Sequence, residues 1–128
     1  VIGSGFYCDS LVGSAAATGN GEDVMRGCLS FSVVSFIKAG MDVQKACETA
    51  LFEHLDRLKT AGYKAGDISL IAMDRYGRCG VATDMKQFPF VMMDDKHPDA
   101  SVYVCRNENG TMHIQKADEQ WLSSWQGD

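Results

Sequence analysis

The sequence predicts a layered α/β domain. Three features carry this: a run of very small side chains between glycine turns that reads as a strand, two consecutive helical stretches, and a second half whose period shifts to short strands separated by turns. The chain has 128 residues, the size of one small domain or of one subunit in a larger fold. At 45% apolar and 23% charged it can bury a real core.

Residues 1–10 are glycine-rich and mixed, and the pattern assigns them no element. Val12-Gly13-Ser14-Ala15-Ala16-Ala17-Thr18 then runs into the turn Gly19-Asn20-Gly21. Alanine favours helix, but a run this short between glycine turns cannot nucleate one, so a buried strand packed tightly on both faces is expected. Glu22 and Asp23 open a helix to about Ala39, with Gly40 as its stop; acidic residues in a first turn suit the positive end of the helix dipole. Val24, Met25, Leu29, Phe31, Val33 and Phe36 spread around this helix, which predicts burial on nearly every side and asks for more partners than the chain offers. Asp42 reads as the N-cap of a second helix to about Ala61. Its apolar stripe is Val43, Ala46, Cys47, Ala50, Leu51, Leu55 and Leu58, with Lys45, Glu48, Asp56 and Lys59 off it, as suits a helix covering a sheet.

Five further strands are expected at 68–73, 79–83, 88–93, 101–105 and 111–114. Arg75-Tyr76-Gly77 marks one turn, and Asn109-Gly110 is a hairpin signal. Residues 117–125 read as a short terminal helix, with Trp121 and Trp125 four apart on a docking edge.

Several functions are excluded. A net charge of -5 with basic residues scattered singly does not suit nucleic acid. No apolar run approaches the length of a membrane span. The cysteines Cys8, Cys28, Cys47, Cys79 and Cys105 are widely spaced and odd in number, which predicts buried free thiols rather than a metal or redox pair. Cys8 has no nearby base to make it a nucleophile. His54 falls in the stripe of the second helix and reads as a packed or boundary histidine. His97, among Asp94, Asp95 and Asp99, matches no metal-binding pattern and reads as part of a solvated loop; no metal is expected. His113 belongs to the hairpin, and the Asn109-Gly110-Thr111 sequon is read as its turn.

The chemistry-bearing segment is Thr18-Gly19-Asn20-Gly21, between a tight strand and a helix start. Glycines let successive N–H groups converge, and the helix dipole adds positive potential, so the turn can receive negative charge. Thr18 adds a hydroxyl donor. A phosphate loop would need Gly-Lys-Ser/Thr, whereas Glu22-Asp23 follow here with no lysine. A transient oxyanion fits better than a dianion. Taken alone, such a turn is as readily a purely structural one.

Its surroundings decide. Val1-Ile2-Gly3-Ser4-Gly5-Phe6-Tyr7-Cys8-Asp9, then Gly13-Ser14-Ala15-Ala16-Ala17-Thr18-Gly19-Asn20-Gly21 and Val24-Met25-Arg26, resemble the glycosylasparaginase branch of the asparaginase-type N-terminal-nucleophile hydrolases. The likeness continues through Ala46-Cys47, Ile71-Ala72-Met73-Asp74…Gly77 and Phe88…Phe90, covering roughly residues 1–95 in order. The resemblance implies an αββα four-layer sandwich, of which residues 1–128 supply part, namely the C-terminal portion of the β subunit. It further implies a precursor that cuts itself to expose a threonine nucleophile whose own α-amino group is the base. That threonine, and the Arg…Gly-Asp segment gripping the substrate, would lie upstream of what matches Val1, so the chain alone is expected to be inactive. Thr18 and Gly19 would form the oxyanion hole, and Thr18, Gly19, Asn20 and Gly21 would help bind the substrate's α-amino group. The substrate implied is N4-glycosylated asparagine, with isoaspartyl peptidase or L-asparaginase activity, or a non-catalytic assembly module, as alternatives. No cofactor is implied. The partners implied are the α subunit and upstream part of the β subunit, in a dimer of αβ units, with no membrane or nucleic acid; relatives include lysosomal and periplasmic enzymes.

Overall fold

A computed structural model of the chain describes residues 1–125. Strands β1 (Phe6–Asp9), β2 (Gly13–Thr18), β3 (Ser69–Asp74) and β4 (Cys79–Thr83) form an antiparallel sheet in the order β1-β2-β3-β4. Helices α1 (Gly21–Gly27), α2 (Leu29–Lys38) and α3 (Val43–Thr60) cover one face. Strands β5 (Gln87–Met92), β6 (Ser101–Glu108) and β7 (Thr111–Lys116) form a second antiparallel sheet, followed by α4 (Glu119–Ser124). The expected α/β layering holds: helices, then one sheet, then the other.

The core lies between the helices and the first sheet. Leu29, Val33 and Val34 of α2 and Ala46, Ala50 and Leu51 of α3 pack on Ala15, Leu70, Ala72 and Ala82. Small side chains on the sheet let the helices come close: a Cβ built on Gly80 would stand 2.8 Å from the Val43 carbonyl oxygen. Asp42 caps α3 as its sequence position predicts, accepting from the Gln44 and Lys45 amides. Gln44 then closes the free edge of β4, since its Nε2 donates to the Val81 carbonyl (2.8 Å) and its Oε1 accepts from the Val81 amide (2.9 Å). A buried edge strand with open backbone groups would be costly, and this side chain replaces the missing neighbour. The β6–β7 turn is the hairpin expected at Asn109-Gly110, with φ of 55° and 86° as a type I′ turn requires.

Four expectations need correction. The long helix from Glu22 to Ala39 is two helices, broken at Cys28, which is left-handed at φ 44°. The break is stabilised from outside. The Ser30 and Phe31 amides in the first turn of α2 donate to the carbonyls of Ser4 (3.2 Å) and Gly3 (2.8 Å), and Ser30 Oγ also reaches Ser4 (2.6 Å). Tertiary acceptors thus satisfy donors that an unbroken helix would satisfy itself. Next, the glycine-rich opening is not without structure: it supplies those acceptors and leads into β1. Third, α1 and α2 are not buried all round, since Met25 and Phe31 are exposed. Finally, β2 is not packed on both faces. Ala15 is buried under the helices, but Ser14 and Ala16 face a cleft and Thr18 is exposed.

The β3–β4 turn has an electrostatic consequence. Asp74 is buried and accepts from the Tyr76 and Arg78 amides (both 2.9 Å) and from Arg78 Nε. Burial raises its pKa, but the Arg78 side chain, the two amides and the guanidinium charge outweigh that, and the carboxyl sits below its ordinary value. A carboxylate depressed in the fold stabilises the protein above the unfolded value of about 3.9, and that contribution is lost as pH falls through the lower folded value. Thermal unfolding between pH 6 and pH 2 is therefore expected to show a steeper acid loss in the natural chain than in Asp74→Asn. Parallel acid limbs would contradict this account.

Candidate active site

The two sheets line a cleft of about 540 Å³. Phe6, Ala16, Ile71 and Met73 of the first sheet face Phe90 and Tyr103 of the second, whose rings stack at 5.8 Å. At the β4 end the second sheet closes onto the first: Val81 and Thr83 are buried, Asn107 Nδ2 donates to the Thr83 carbonyl (3.1 Å), and Met112 packs against the core. Toward β1 the cleft opens, leaving Phe6, Ile71 and Met73 partly exposed.

Thr18 ends β2 on the face that Ser14 and Ala16 give to this cleft, because side chains alternate along a strand. The loop Thr18–Gly21 lies at the sheet's end, beyond the residues lining the cleft, and all four of its residues are exposed. In the ladder Thr18 stands opposite Ser69, and Ser69 opposite Thr83, so three hydroxyl side chains share one cross-strand row. The Ser69 and Thr83 hydroxyls bond each other at 2.7 Å and are buried, whereas Thr18 is open to solvent.

Gly19 fixes the loop's course. Its φ of 124° is a conformation that side-chain-bearing residues rarely adopt, and a Cβ there would fall 2.0 Å from the Asp67 carbonyl oxygen. The Gly19 backbone therefore lies directly on the Asp67–Ile68 peptide. Asn20 begins α1 in extended conformation without using its side chain as a cap, so no capping side chain occludes the first turn. The helix behind the loop has only seven residues, so its dipole is that of two turns rather than of the long helix expected.

His54 is the packed histidine the helix stripe suggests. It is buried on α3, its Nε2 donates to the Asp23 carbonyl of α1 (2.6 Å), and its ring occupies the space a side chain on Gly27 would need, 2.6 Å from such a Cβ. It ties α1 to α3. Asp23 is buried and paired with Arg26 (2.7 Å), whose guanidinium lies 4.3 Å over the Tyr63 ring. Sequence reading passed over Asp23 because it looked like an ordinary first-turn acid.

The other candidates separate from this site. His97 is exposed in its loop and bonds Asp94 (3.0 Å). Among the described residues no three His, Cys, Asp or Glu side chains cluster to hold a metal ion. All five cysteines are free, but only Cys47 and Cys105 are buried. Burial, with Glu48 adding, pushes Cys47 up to about 12 and Cys105 up to about 11. Cys8 and Cys79 line the open cleft and Cys28 stands at the helix break, so the expectation of buried thiols fails for these three. Desolvation and then the charges of Asp74 and Asp94 raise Cys79 too, holding it as thiol. Trp121 and Trp125 stack at 5.1 Å, and Trp121 Nε1 donates to Gln87 (3.2 Å), docking α4 against the β5 edge.

Comparison with known proteins identifies the family. The family model described as Asparaginase matches residues 1–102. The N(4)-(beta-N-acetylglucosaminyl)-L-asparaginase of Elizabethkingia miricola is 32% identical over 98 residues, which is 75% of this chain and 29% of that protein. Plant-type L-asparaginases of Pyrococcus furiosus and Thermococcus kodakarensis are 31% and 32% identical over 104 residues, 80% of this chain and 32% of each of theirs. The chain thus spans about a third or less of the length of these relatives. With four-fifths of its residues inside one family model, and with helices, two antiparallel sheets and the Thr-Gly-Asn-Gly turn arranged as described, the chain belongs to the asparaginase family.

Proposed function

We propose that this chain forms the oxyanion-stabilising part of an amidohydrolase that cleaves the side-chain amide of N4-glycosylated asparagine. The observation that carries it is the Thr18–Gly21 loop: exposed, ending the strand whose Ser14 and Ala16 line the cleft, and held in a conformation that only glycine takes easily at position 19. In this reading an N-terminal threonine, carried on a segment not in this chain, adds its hydroxyl oxygen to the amide carbonyl carbon. Its own α-amino group takes the proton. The carbonyl oxygen becomes an oxyanion, to which the Thr18 hydroxyl and the Gly19 N–H donate. Collapse expels the glycosylamine with that proton and leaves an aspartyl ester on the threonine. Water then hydrolyses the ester to aspartate through a second oxyanion in the same place. Asn20 and Gly21 help hold the substrate's α-amino group. The partners are the α subunit and the upstream part of the β subunit, the latter carrying the nucleophile, and two αβ units pair.

A second reading keeps the chemistry and changes the leaving group. The plant-type L-asparaginases match as well as the glycosylated-asparagine enzyme does, which makes free asparagine an equal candidate by similarity; a β-aspartyl peptide would use the same chemistry. Incubating the full-length protein with a sugar–asparagine conjugate, a β-aspartyl dipeptide and asparagine separates the two. Aspartate release chiefly from the conjugate is expected. Cleavage of the dipeptide or asparagine alone would overturn the sugar assignment. Cleavage of none, by protein whose mature chains expose no N-terminal threonine, would leave only a non-catalytic assembly module.

A further inference from the structure

The loop proposed to receive the oxyanion rests on two consecutive residues, and a third residue, just past a different strand, holds them. Gly19 lies on the Asp67–Ile68 peptide, its hypothetical Cβ 2.0 Å from the Asp67 oxygen and 3.0 Å from Ile68 Cα. That peptide is unusual in itself. Asp67 is left-handed at φ 58°, which turns its N–H and that of Ile68 toward the same side. Both point at one carboxylate, just beyond the end of β4. Asp84 Oδ2 accepts from the Asp67 amide (3.0 Å) and Oδ1 from the Ile68 amide (2.7 Å), while the Asp84 amide donates back to the Ile68 carbonyl (3.2 Å). Gly66 leaves room for the carboxylate, which lies 3.1 Å from where its Cβ would be. Ile68 is fully buried and Ser69 enters the ladder opposite Thr18, so the platform cannot slide along the chain.

We propose that Asp84 is a positioning residue for the Thr18–Gly21 loop. Through the two amides it fixes the Asp67–Ile68 peptide, and through that peptide the height at which the Gly19 N–H is presented. The hydrogen bonds of Asp84 go to Asp67 and Ile68 rather than to Thr18 or Gly19, so it acts through the platform. This rests on the oxyanion reading of the loop. A donor displaced by a fraction of an ångström still meets the ground-state carbonyl but loses most where charge develops, so the effect belongs in kcat rather than KM.

The test uses the full-length protein. Asp84→Asn keeps the side chain's size but turns an NH₂ toward one of the two amide donors, so one bond is lost and donor faces donor. Its kcat is expected to fall by about tenfold or more with KM changed little. Asp42→Ala, which removes the α3 cap far from the loop, serves as a control for stability. It should lower the unfolding midpoint with kcat per folded molecule intact. In a Thr18→Val background the Asp84→Asn effect should shrink, because both act on one donor set. If Thr18→Val lowers kcat and Asp84→Asn does not, the positioning role is overturned while the oxyanion reading stands. If Thr18→Val itself leaves kcat unchanged, the reading of the loop fails first. Should Asp84→Asn prove insoluble, amide hydrogen exchange on the unaltered protein carries the same test. The Asp67 amide, on an exposed residue, should exchange slowly, and free exchange overturns the clamp.

Discussion

Thr18→Val in the full-length protein is expected to lower kcat by about 10²- to 10³-fold while KM moves little. The substitution removes one hydroxyl donor and keeps the β-branched shape that suits a strand end. Thr18 is exposed, so no buried partner is orphaned and the unfolding midpoint should stay where it was. On the proposed oxyanion reading, what is lost is a donor aimed at charge that exists only in the transition state. Removal of one such donor typically costs about 2.7–4 kcal/mol of transition-state stabilisation. A substrate already held through its α-amino and α-carboxylate groups should bind almost as before, which is why kcat and kcat/KM should fall together. Steady-state kinetics alongside thermal unfolding separate this from a folding defect. An unaltered kcat would take Thr18 out of the oxyanion hole and leave the loop as an ordinary turn.

Why this loop was legible in the sequence, and its support was not, has a physical reason. Thr-Gly-Asn-Gly is local: glycine content, the preceding small residues and the acidic helix start lie within a few positions, so the turn can be read from them and an oxyanion role proposed for it. Asp42 as a cap and Asn109-Gly110 as a hairpin turn were legible for the same reason, and both are where expected. The break at Cys28 was not legible. Gly27 and Cys28 sit in an apolar run that satisfies helix periodicity, and what stops the helix is the pair of carbonyls at Gly3 and Ser4, more than twenty residues away in sequence. Asp84 is a lone acid after a strand, with no spacing that announces a role. Its meaning comes from two amides sixteen and seventeen residues earlier, one of them on a left-handed aspartate. Likewise, the small side chains of β2 do predict close packing, but they do not say that only the helix side is packed. Local chemistry survives in the sequence, whereas long-range hydrogen bonds made to backbone atoms leave almost no trace in residue identity.

Gly19→Ala is the other substitution with a large expected effect, and it acts by geometry alone. Alanine adds no polar atom and removes none, but its Cβ cannot coexist with the Asp67 carbonyl oxygen at 2.0 Å, nor sit easily at φ 124°. Something has to move. The platform is the less yielding side: the Asp67 and Ile68 amides are tied to Asp84, Ile68 is fully buried, and Ser69 is already in the ladder with Thr18 and Thr83. The loop therefore shifts outward and carries the Gly19 N–H with it. Overpacking and backbone strain together should lower stability by about 1–3 kcal/mol. The donor's displacement should lower kcat by on the order of 10²-fold, since misplacement by about an ångström costs that much in a positioned site. Gly21→Ala makes the contrast within the same loop. A Cβ there meets nothing within 4 Å, and the residue opens α1, where alanine is the better helix former. It should be neutral or stabilising by up to about 1 kcal/mol. Urea unfolding of the two variants, followed by single-turnover kinetics for Gly19→Ala, measures both effects. Equal stability of the two alanine variants would mean that the Gly19–Asp67 contact relaxes without strain, and full turnover by Gly19→Ala would mean that the Gly19 N–H is not the donor the oxyanion needs.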